Sequence, residues 1–444
     1  MELRTILGAD LVPLEDMLAE RELRAGTQRR LLAAYGGPLL CLSLNMAGPV
    51  KDFPLLRLGY RAGRLLAEAA LTRAGASCRF LEERLSPAGP CAFYLAQGLS
   101  PLAAKDALCA VEDGGPLGRL LDLDLLLEDG RKLSRGETGR PPRRCLLCGE
   151  AAAVCGRSRR HSVEQLQQEA VRLLMEHFSA RWAERVSTRA LRAMLYEVSV
   201  TPKPGLVDRR NSGAHRDMDF FTFLDSAATL TPWFRRLCLL GARSPELEDG
   251  ALFSAARSLG VQAEEAMRAA TGGVNTHQGL IFSLGLLCAA AGQLYARGLP
   301  GGEDGPPPAE ALCQRAAALA ACAPPPAGQA SGSLPGGARG EALRAFASVR
   351  RWVLPVLRQA ESPEEGGRRA LLALIAHVED ANILRRGGRA ALEAAARRAR
   401  QVLDAPSGEF QAELAAFDRE LIRDGLSPGG CADLLAVGYF LFLT

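Results

Sequence analysis

Asp122 and Asp124 stand two residues apart in the run Gly118-Arg-Leu-Leu-Asp-Leu-Asp124. In an extended chain, side chains at i and i+2 share a face, so the two carboxylates project together. Paired hard oxygen donors on a rigid face suit Mg²⁺, which keeps water and nucleotide phosphates in its other positions. Spacing alone fits the solvated face of an amphipathic strand equally well. The segment that follows favours the metal. Arg131, Lys132, Arg135, Arg140, Arg143, Arg144, Arg157, Arg159 and Arg160 are opposed only by Glu137 and Glu150. Guanidinium groups pair bidentately with phosphate oxygens, so an acidic pair followed by an arginine-rich stretch is a polyphosphate-handling arrangement. Nucleic acid is the competing partner for such arginines. The aromatic platforms that single strands need are missing there, and a net charge of +4 makes no case from bulk charge. Cys145, Cys148, Cys155 and His161 form C-x2-C-x6-C-x5-H. Zinc is one use of such a set. The second half of the spacing is tight for a structural site, and reduced thiols are the preferred reading.

A second concentration of chemistry lies between Glu197 and Asp219. Two prolines after Val198 end a helix, and the loop beyond carries Lys203, Asp208, Arg209, Asn211, His215, Asp217 and Asp219. A loop so dense in charge between apolar helices is expected to carry function rather than merely connect. Residues 270–279, Ala-Thr-Gly-Gly-Val-Asn-Thr-His-Gln-Gly, form another polar loop. It feeds an apolar helix whose first amides suit an anion. His277 there reads either as functional or as a satisfied core histidine. Gly336–Ala342 and Asp380–Gly388 read as two further Gly-rich polar loops. Together the four suggest one polar pocket at an end of a helical domain.

These groups need two kinds of scaffold. Leu14–Tyr35 reads as an amphipathic helix with Arg21, Glu22, Arg24 and Gln28 on its polar side. Leu39–Leu44 reads as a strand ending in a turn. Leu120–Leu127 reads as a strand meeting a Glu-Asp-Gly hairpin turn. From Val163 the period changes to 3.6, with Leu166, Ala170, Leu173, Leu174, Phe178 and Trp182 on one face. No strand is expected after residue 165. The expected organisation is therefore an N-terminal α/β (α+β) domain over residues 1–162 and an all-α domain over 163–444. Residues 299–340, rich in Gly and Pro, read as a flexible insertion around one short Ala-rich helix.

The composition is that of a globular chain, with 48% apolar and 23% charged residues. Twelve scattered cysteines and an N-terminus without an apolar core suggest a reduced, cytoplasmic protein. The longest apolar stretch, 279–292, is too short to span a bilayer and reads as a buried helix, so no membrane is expected.

These motifs identify two families. The first part resembles the apo-citrate lyase phosphoribosyl-dephospho-CoA transferases. The resemblance rests on Arg21-Glu-Leu-Arg-Ala with Gln28, Leu42-Ser-Leu-Asn-Met-Ala-Gly-Pro-Val-Lys51, Gly118–Asp124 and the segment from Arg143 to His161. The second part resembles the triphosphoribosyl-dephospho-CoA synthases, through Thr201–Asp208, Asn211–Asp219, Thr271–His277, Gly337–Ala342 and Ser427–Leu435. Both enzymes in this order is a known fused arrangement.

The resemblance implies a nucleotidyltransferase-like first domain. It also implies a bifunctional enzyme that uses ATP, 3′-dephospho-CoA and Mg²⁺, with the citrate lyase acyl-carrier (gamma) subunit as acceptor. It places Mg²⁺ on Asp122 and Asp124, catalysis on Lys51, His215, Asp217, Asp219 and His277, and substrate or phosphate contacts on Arg119, Arg143, Arg144, Lys203, Asp208, Arg209, Asn275, Arg339 and Glu341. Alternatives are the same chemistry for malonate decarboxylase, or a fusion with one inactive half. Departures from the family pattern are Ala47 for Pro, Gln278 for Lys, Ala381 in the Asp-Thr-Asn motif, and residues 323–336. They bear on the rate of the second half rather than on its identity.

Overall fold

The computed structural model describes residues 10–297, 307–324 and 336–443. The chain divides into two compact units, residues 1–178 and 179–444. Met1–Ala9, where the absence of a leader was read, lies outside the described residues.

In the first unit, α1 (Leu14–Tyr35), β1 (Leu39–Leu44), α2 (Pro54–Arg73), β2 (Ser77–Arg84), β3 (Cys91–Gln97), α3 (Pro101–Asp113), β4 (Leu121–Leu126) and α4 (Ala152–Ser158) follow in order. The four strands form one antiparallel sheet in the order β2-β3-β1-β4. β1 is central, and its run Leu-Leu-Cys-Leu-Ser is buried throughout, as a strand covered on both faces must be. β4 lies at an edge and alternates. Leu121, Leu123 and Leu125 are fully buried while Asp122 and Asp124 are not. The register sets Asp122 opposite Ser43 and Asp124 opposite Cys41. Leu31 of α1 packs with Cys41, Cys91 and Phe93, so α1 covers the carboxylate face. Gly63 of α2 lies against Leu121, on the other face.

α5 (Val163–Ser199) runs from the first unit into the second. Ala170, Leu173, Leu174, Phe178 and Trp182 on the anticipated face are buried.

Helices then continue as α6 (Phe220–Arg243), α7 (Asp249–Ala270), α8 (Gln278–Ala296), α9 (Ala309–Ala321), α10 (Gly337–Leu343), α11 (Leu354–Gln359), α12 (Pro363–His377), α13 (Ala381–Leu403), α14 (Phe410–Arg423) and α15 (Gly429–Phe442). The described residues after 165 contain no strand. α8 is long and apolar enough to cross a bilayer by composition, but nearly every side chain on it is buried against neighbouring helices. α15 is a second buried apolar helix.

Two sequence readings are corrected. Within 299–340, the expected short Ala-rich helix is present as Ala309–Ala321, but it is packed into the core rather than standing in a flexible insertion. Leu312, Cys313, Ala316, Leu319 and Ala320 are buried in it. A run of alanines presents a smooth surface that packs closely, and Gly and Pro punctuate only its flanks; residues 298–306 and 325–335 lie outside the described set. The segments read as loops at 336–342 and 380–388 are instead largely helical, as α10 and the start of α13. Asp380 starts α13 by accepting the N–H groups of Asn382 (2.8 Å) and Ile383 (3.1 Å), which is N-cap geometry. The loop character survives as a break at Gly388, where φ is +75°.

α6 and α8 touch backbone to backbone. A Cβ on Gly292 would lie 2.0 Å from the Cys238 carbonyl oxygen, and one on Gly241 2.0 Å from that of Ala289. Neither carbonyl can move without parting the helices. Gly292→Ala is therefore expected to destabilise the helical unit by at least about 1–3 kcal/mol, the usual cost of overpacking. A lower urea midpoint for that unit checks it.

Candidate active sites

In the first unit, a cavity of about 190 Å³ opens between α1, β1 and the edge strand. Its lining includes Arg21 and Arg24 of α1, Ser43 of β1, Asn45 and Lys51 of the loop after β1, and Asp122 of β4. All three of the first unit's early motifs thus meet in one place. The loop 45–51 is held from below. Gly48 has φ +70°, and a Cβ there would lie 2.2 Å from Val163 Cγ1. Gln167 donates to the Ala47 carbonyl at 3.1 Å. The Asn45 N–H reaches the Leu120 carbonyl at 2.7 Å, tying the loop to the start of β4.

Burial and then the Arg21 charge hold the Lys51 ammonium below its ordinary value, and it donates to the Met46 carbonyl. Asp124 is held above the usual carboxylate range, first by burial and then by repulsion from Asp122, with Lys132 pairing against it. A cation would relieve that repulsion, and the donors are hard oxygens, so the pair suits Mg²⁺. Cys41 and Cys91 on the same face are pushed up to about 12 and about 11 by burial and stay as thiols.

Arg119 and Arg143, expected on phosphates, spend part of their guanidinium capacity on the backbone. Arg119 donates to the carbonyl of Cys145 (2.8 Å) and Arg143 to those of Leu121 and Arg119 (both 2.7 Å). Both, with Arg144, line a separate cavity of about 600 Å³.

In the second unit, segments far apart in sequence converge. Lys203 is fully buried and its ammonium donates to the buried Glu197. Burial raises the Glu197 carboxyl, with Lys203 opposing. Asp380 accepts from the Cys431 N–H at 2.8 Å. Asp433 is pushed well above the usual carboxylate range by burial, then by Glu197 and Asp380. Gly279 makes room for it, since a Cβ there would lie 2.3 Å from Asp433 Oδ2. His277 is buried, with Nδ1 2.7 Å from Ser226 Oγ, and senses Lys203. His215 is half-buried, with Nε2 2.8 Å from Ser427 Oγ and Nδ1 3.9 Å from Asp217. Burial and then Arg386 hold its imidazole below the ordinary value.

Other expected residues hold the scaffold. Asp208 is buried and accepts the N–H groups of Lys203 (3.0 Å), Arg210 (2.7 Å) and Asn211 (3.1 Å). These bonds shape the loop. Glu341 accepts from Ser348 Oγ at 3.0 Å and Arg344 at 2.8 Å. Asp219 caps α6 through Thr222 N (2.9 Å), which holds its carboxyl below the usual range. Arg209 pairs with Glu364. Arg339 donates to the carbonyls of Ala323 (2.7 Å) and Pro324. Asn275 donates to Gln278 at 2.8 Å, and Gln278 in turn to Glu264 at 3.0 Å. Glu197, Asp418 and Asp433 were given no role from sequence, and Asp380 was read only as the start of a loop and of the Asp-Ala-Asn motif. Asp418 accepts from Gly205 N (3.0 Å) and Asn211 (3.3 Å). Asp433 lay inside the Ser427–Leu435 motif, where an acid among apolar residues was the available signal.

His277 carries a pH consequence. Burial, then Lys203, depress its pKa to about 3. Where the unfolded chain binds a proton and the folded one does not, stability rises with pH and is lost as pH falls. The neutral ring's contribution is complete above about 6.5 and declines as pH falls towards 3. His277→Gln is expected to flatten the acid-side loss of urea midpoint relative to the parent. Parallel titrations with the same slope would contradict it.

Comparison with known proteins relates each part of the chain to a family. Residues 12–177 match the family model for apo-citrate lyase phosphoribosyl-dephospho-CoA transferase. Residues 183–320 and 333–444 match that for ATP:dephospho-CoA triphosphoribosyl transferase. Protein CitXG of Haemophilus influenzae is 32% identical over 97% of this chain and 96% of its own length. Protein CitXG of Leuconostoc mesenteroides is 30% identical, over 98% and 97%. The 2-(5''-triphosphoribosyl)-3'-dephosphocoenzyme-A synthase of Haemophilus ducreyi is 36% identical over 66% of this chain and 98% of its own. The chain therefore belongs to the family in which an apo-citrate lyase phosphoribosyl-dephospho-CoA transferase and an ATP:dephospho-CoA triphosphoribosyl transferase are fused in that order.

Proposed function

We propose that this chain makes and then attaches the citrate lyase prosthetic group, each unit carrying one reaction. The supporting observation is that each unit has its own polar centre, assembled from the motifs that relate it to its family.

In the second unit, the 2′-hydroxyl of 3′-dephospho-CoA attacks the anomeric carbon of the ATP ribose. The new C–O bond forms as the C–N bond to adenine breaks, and the triphosphate is retained. Lys203 supplies positive potential to the phosphates. His215 is the proton carrier, since its ring is half-buried, favours the neutral form and has Asp217 near Nδ1. His277 is neutral at working pH and acts as a hydrogen-bonding wall. Asp219 contributes by fixing the start of α6. Arg209, Asn275 and Arg339 bound the site and meet the phosphates when their present partners release them.

In the first unit, a nucleotidyltransferase-like domain in this reading, a serine of the citrate lyase acyl-carrier subunit attacks the α-phosphate. The O–P bond forms as the bond to pyrophosphate breaks. Asp122 and Asp124 would hold Mg²⁺, which neutralises phosphate charge when bound. Lys51, with Arg21 and Arg24 beside it, faces the transferred phosphoryl group. Arg119, Arg143 and Arg144 offset charge from the neighbouring cavity. Fusing the units raises the local concentration of the shared intermediate.

The test is the intact mass of the acyl-carrier subunit after incubation with the chain, ATP, Mg²⁺ and 3′-dephospho-CoA. Addition of one phosphoribosyl-dephospho-CoA unit to a serine supports the reading. An unmodified carrier, with the triphosphoribosyl intermediate supplied directly, overturns it for the first unit.

A further inference from the structure

Neither reaction uses the cluster formed by Cys145, Cys148, Cys155 and His161. One ligand atom from each of these four residues lies within 4.8 Å of every other. Cys148 Sγ is 3.9 Å from Cys155 Sγ and 3.3 Å from His161 Nε2. A tetrahedral zinc with Zn–S near 2.3 Å and Zn–N near 2.0 Å has S–S edges of about 3.8 Å and S–N edges of about 3.5 Å. The observed separations straddle those edges. They are far too long for a disulfide, and all four side chains converge on one point.

The backbone is built for the same purpose. Cys145-Leu-Leu-Cys-Gly149 is a tight turn. It is closed by Cys145 N–H to the Glu150 carbonyl (2.8 Å) and Ala152 N–H to the Arg143 carbonyl (2.8 Å). The third cysteine comes from α4. That helix ends at Arg159 in the left-handed conformation (φ +48°), which turns the chain so that His161 comes back to Cys148. Two turns and a one-helix excursion, in a segment with little apolar core of its own, thus bring three soft sulfurs and one imidazole together.

We infer that Cys145, Cys148, Cys155 and His161 form a structural zinc site that fixes the arginine-bearing wall of the first unit. Three thiolates and a neutral imidazole fill all four positions, so the site is closed and has no place for a substrate. Binding releases the thiol protons, and the one residual negative charge lies beside Arg119, Arg143, Arg144 and Arg159, which line the same cavity as Cys145 and Cys155. Arg119 already grips the carbonyls of Cys145 and Leu146 (2.8 and 3.3 Å), so the ion and the arginine wall are mechanically joined.

The experiment is elemental analysis of the full chain purified without chelator, with cobalt substitution of the same protein. The expected result is about one zinc per chain and, with Co²⁺, the intense visible bands of a tetrahedral thiolate-rich site. Cysteines 145, 148 and 155 should resist a thiol reagent until the metal is stripped. Cys148→Ala should lose both metal and bands. Should that variant fail to fold, the parent's stoichiometry, cobalt spectrum and thiol protection still decide. Metal-free protein with no cobalt bands and three freely reacting thiols would overturn the site. So would zinc that persists in a folded variant lacking these cysteines.

Discussion

Asp122→Asn is expected to abolish carrier modification while leaving adenine release at the parental rate. The carboxylate stands in the cavity with Lys51, Asn45 and Arg21, whereas the groups assigned to adenine release all belong to the second unit. Removing one electrostatic contact to a transferring group typically costs on the order of a hundredfold or more in rate. The fold should tolerate the change. Asp122 raises the neighbouring Asp124 carboxyl, after burial. A raised carboxyl contributes stability below its unfolded value and loses it as pH rises through the folded value. Deleting the Asp122 charge relieves that loss at neutral pH, so the variant should unfold at an equal or higher urea midpoint. Carrier mass and free adenine, measured on one preparation, give both readouts. Parental carrier modification would remove Asp122 from the metal assignment. Loss of both activities would mean that the two units are not functionally separable.

Lys203→Met should strike the second unit twice. Lys203 and Glu197 are an almost fully buried pair. Removing one member of such a pair leaves an uncompensated charge and usually costs about 3–5 kcal/mol. Glu197 is already raised by burial, with Lys203 as the opposing influence, so without the lysine it takes up a proton. Adenine release should disappear, because the cation assigned to the phosphates is gone. Stability and catalysis are separated by the double variant Lys203→Met/Glu197→Gln. It should recover most of the lost urea midpoint, since neither partner is then stranded, and still release no adenine. Recovered activity in the double variant would show the pair to be structural only.

The sequence was most legible where a period or a turn signal was strong. Leu14–Tyr35 was bounded at both ends, as Pro13 and Gly36 flank it. The strands at 39–44 and 121–126 were visible from apolar runs meeting turns. β2 and β3 were not. Ser77–Arg84 is a charged edge of half-buried and exposed residues without clean alternation, and Cys91–Gln97 is buried on both faces, where periodicity cannot tell strand from helix.

Motif residues were readable as a set, but their division of labour was not. Asp208, Asp219 and Glu341 look like ligands in one dimension, and in three they also brace a loop, cap a helix and tie a helix to its neighbour. Asp433 looks like an ordinary acid of a helix start, yet its buried carboxyl senses Glu197 and Asp380 across long stretches of chain. What distinguishes the two groups is which backbone amides reach each carboxylate first, and only the packed helices decide that.

The central claim is that one chain holds two complementary transferases, and its most direct test is on the second unit. The purified chain is incubated with ATP and Mg²⁺, with and without 3′-dephospho-CoA, and free adenine is followed by chromatography. Adenine that appears only when 3′-dephospho-CoA is present is the expected result. No adenine from folded protein, or adenine released without 3′-dephospho-CoA, would contradict it.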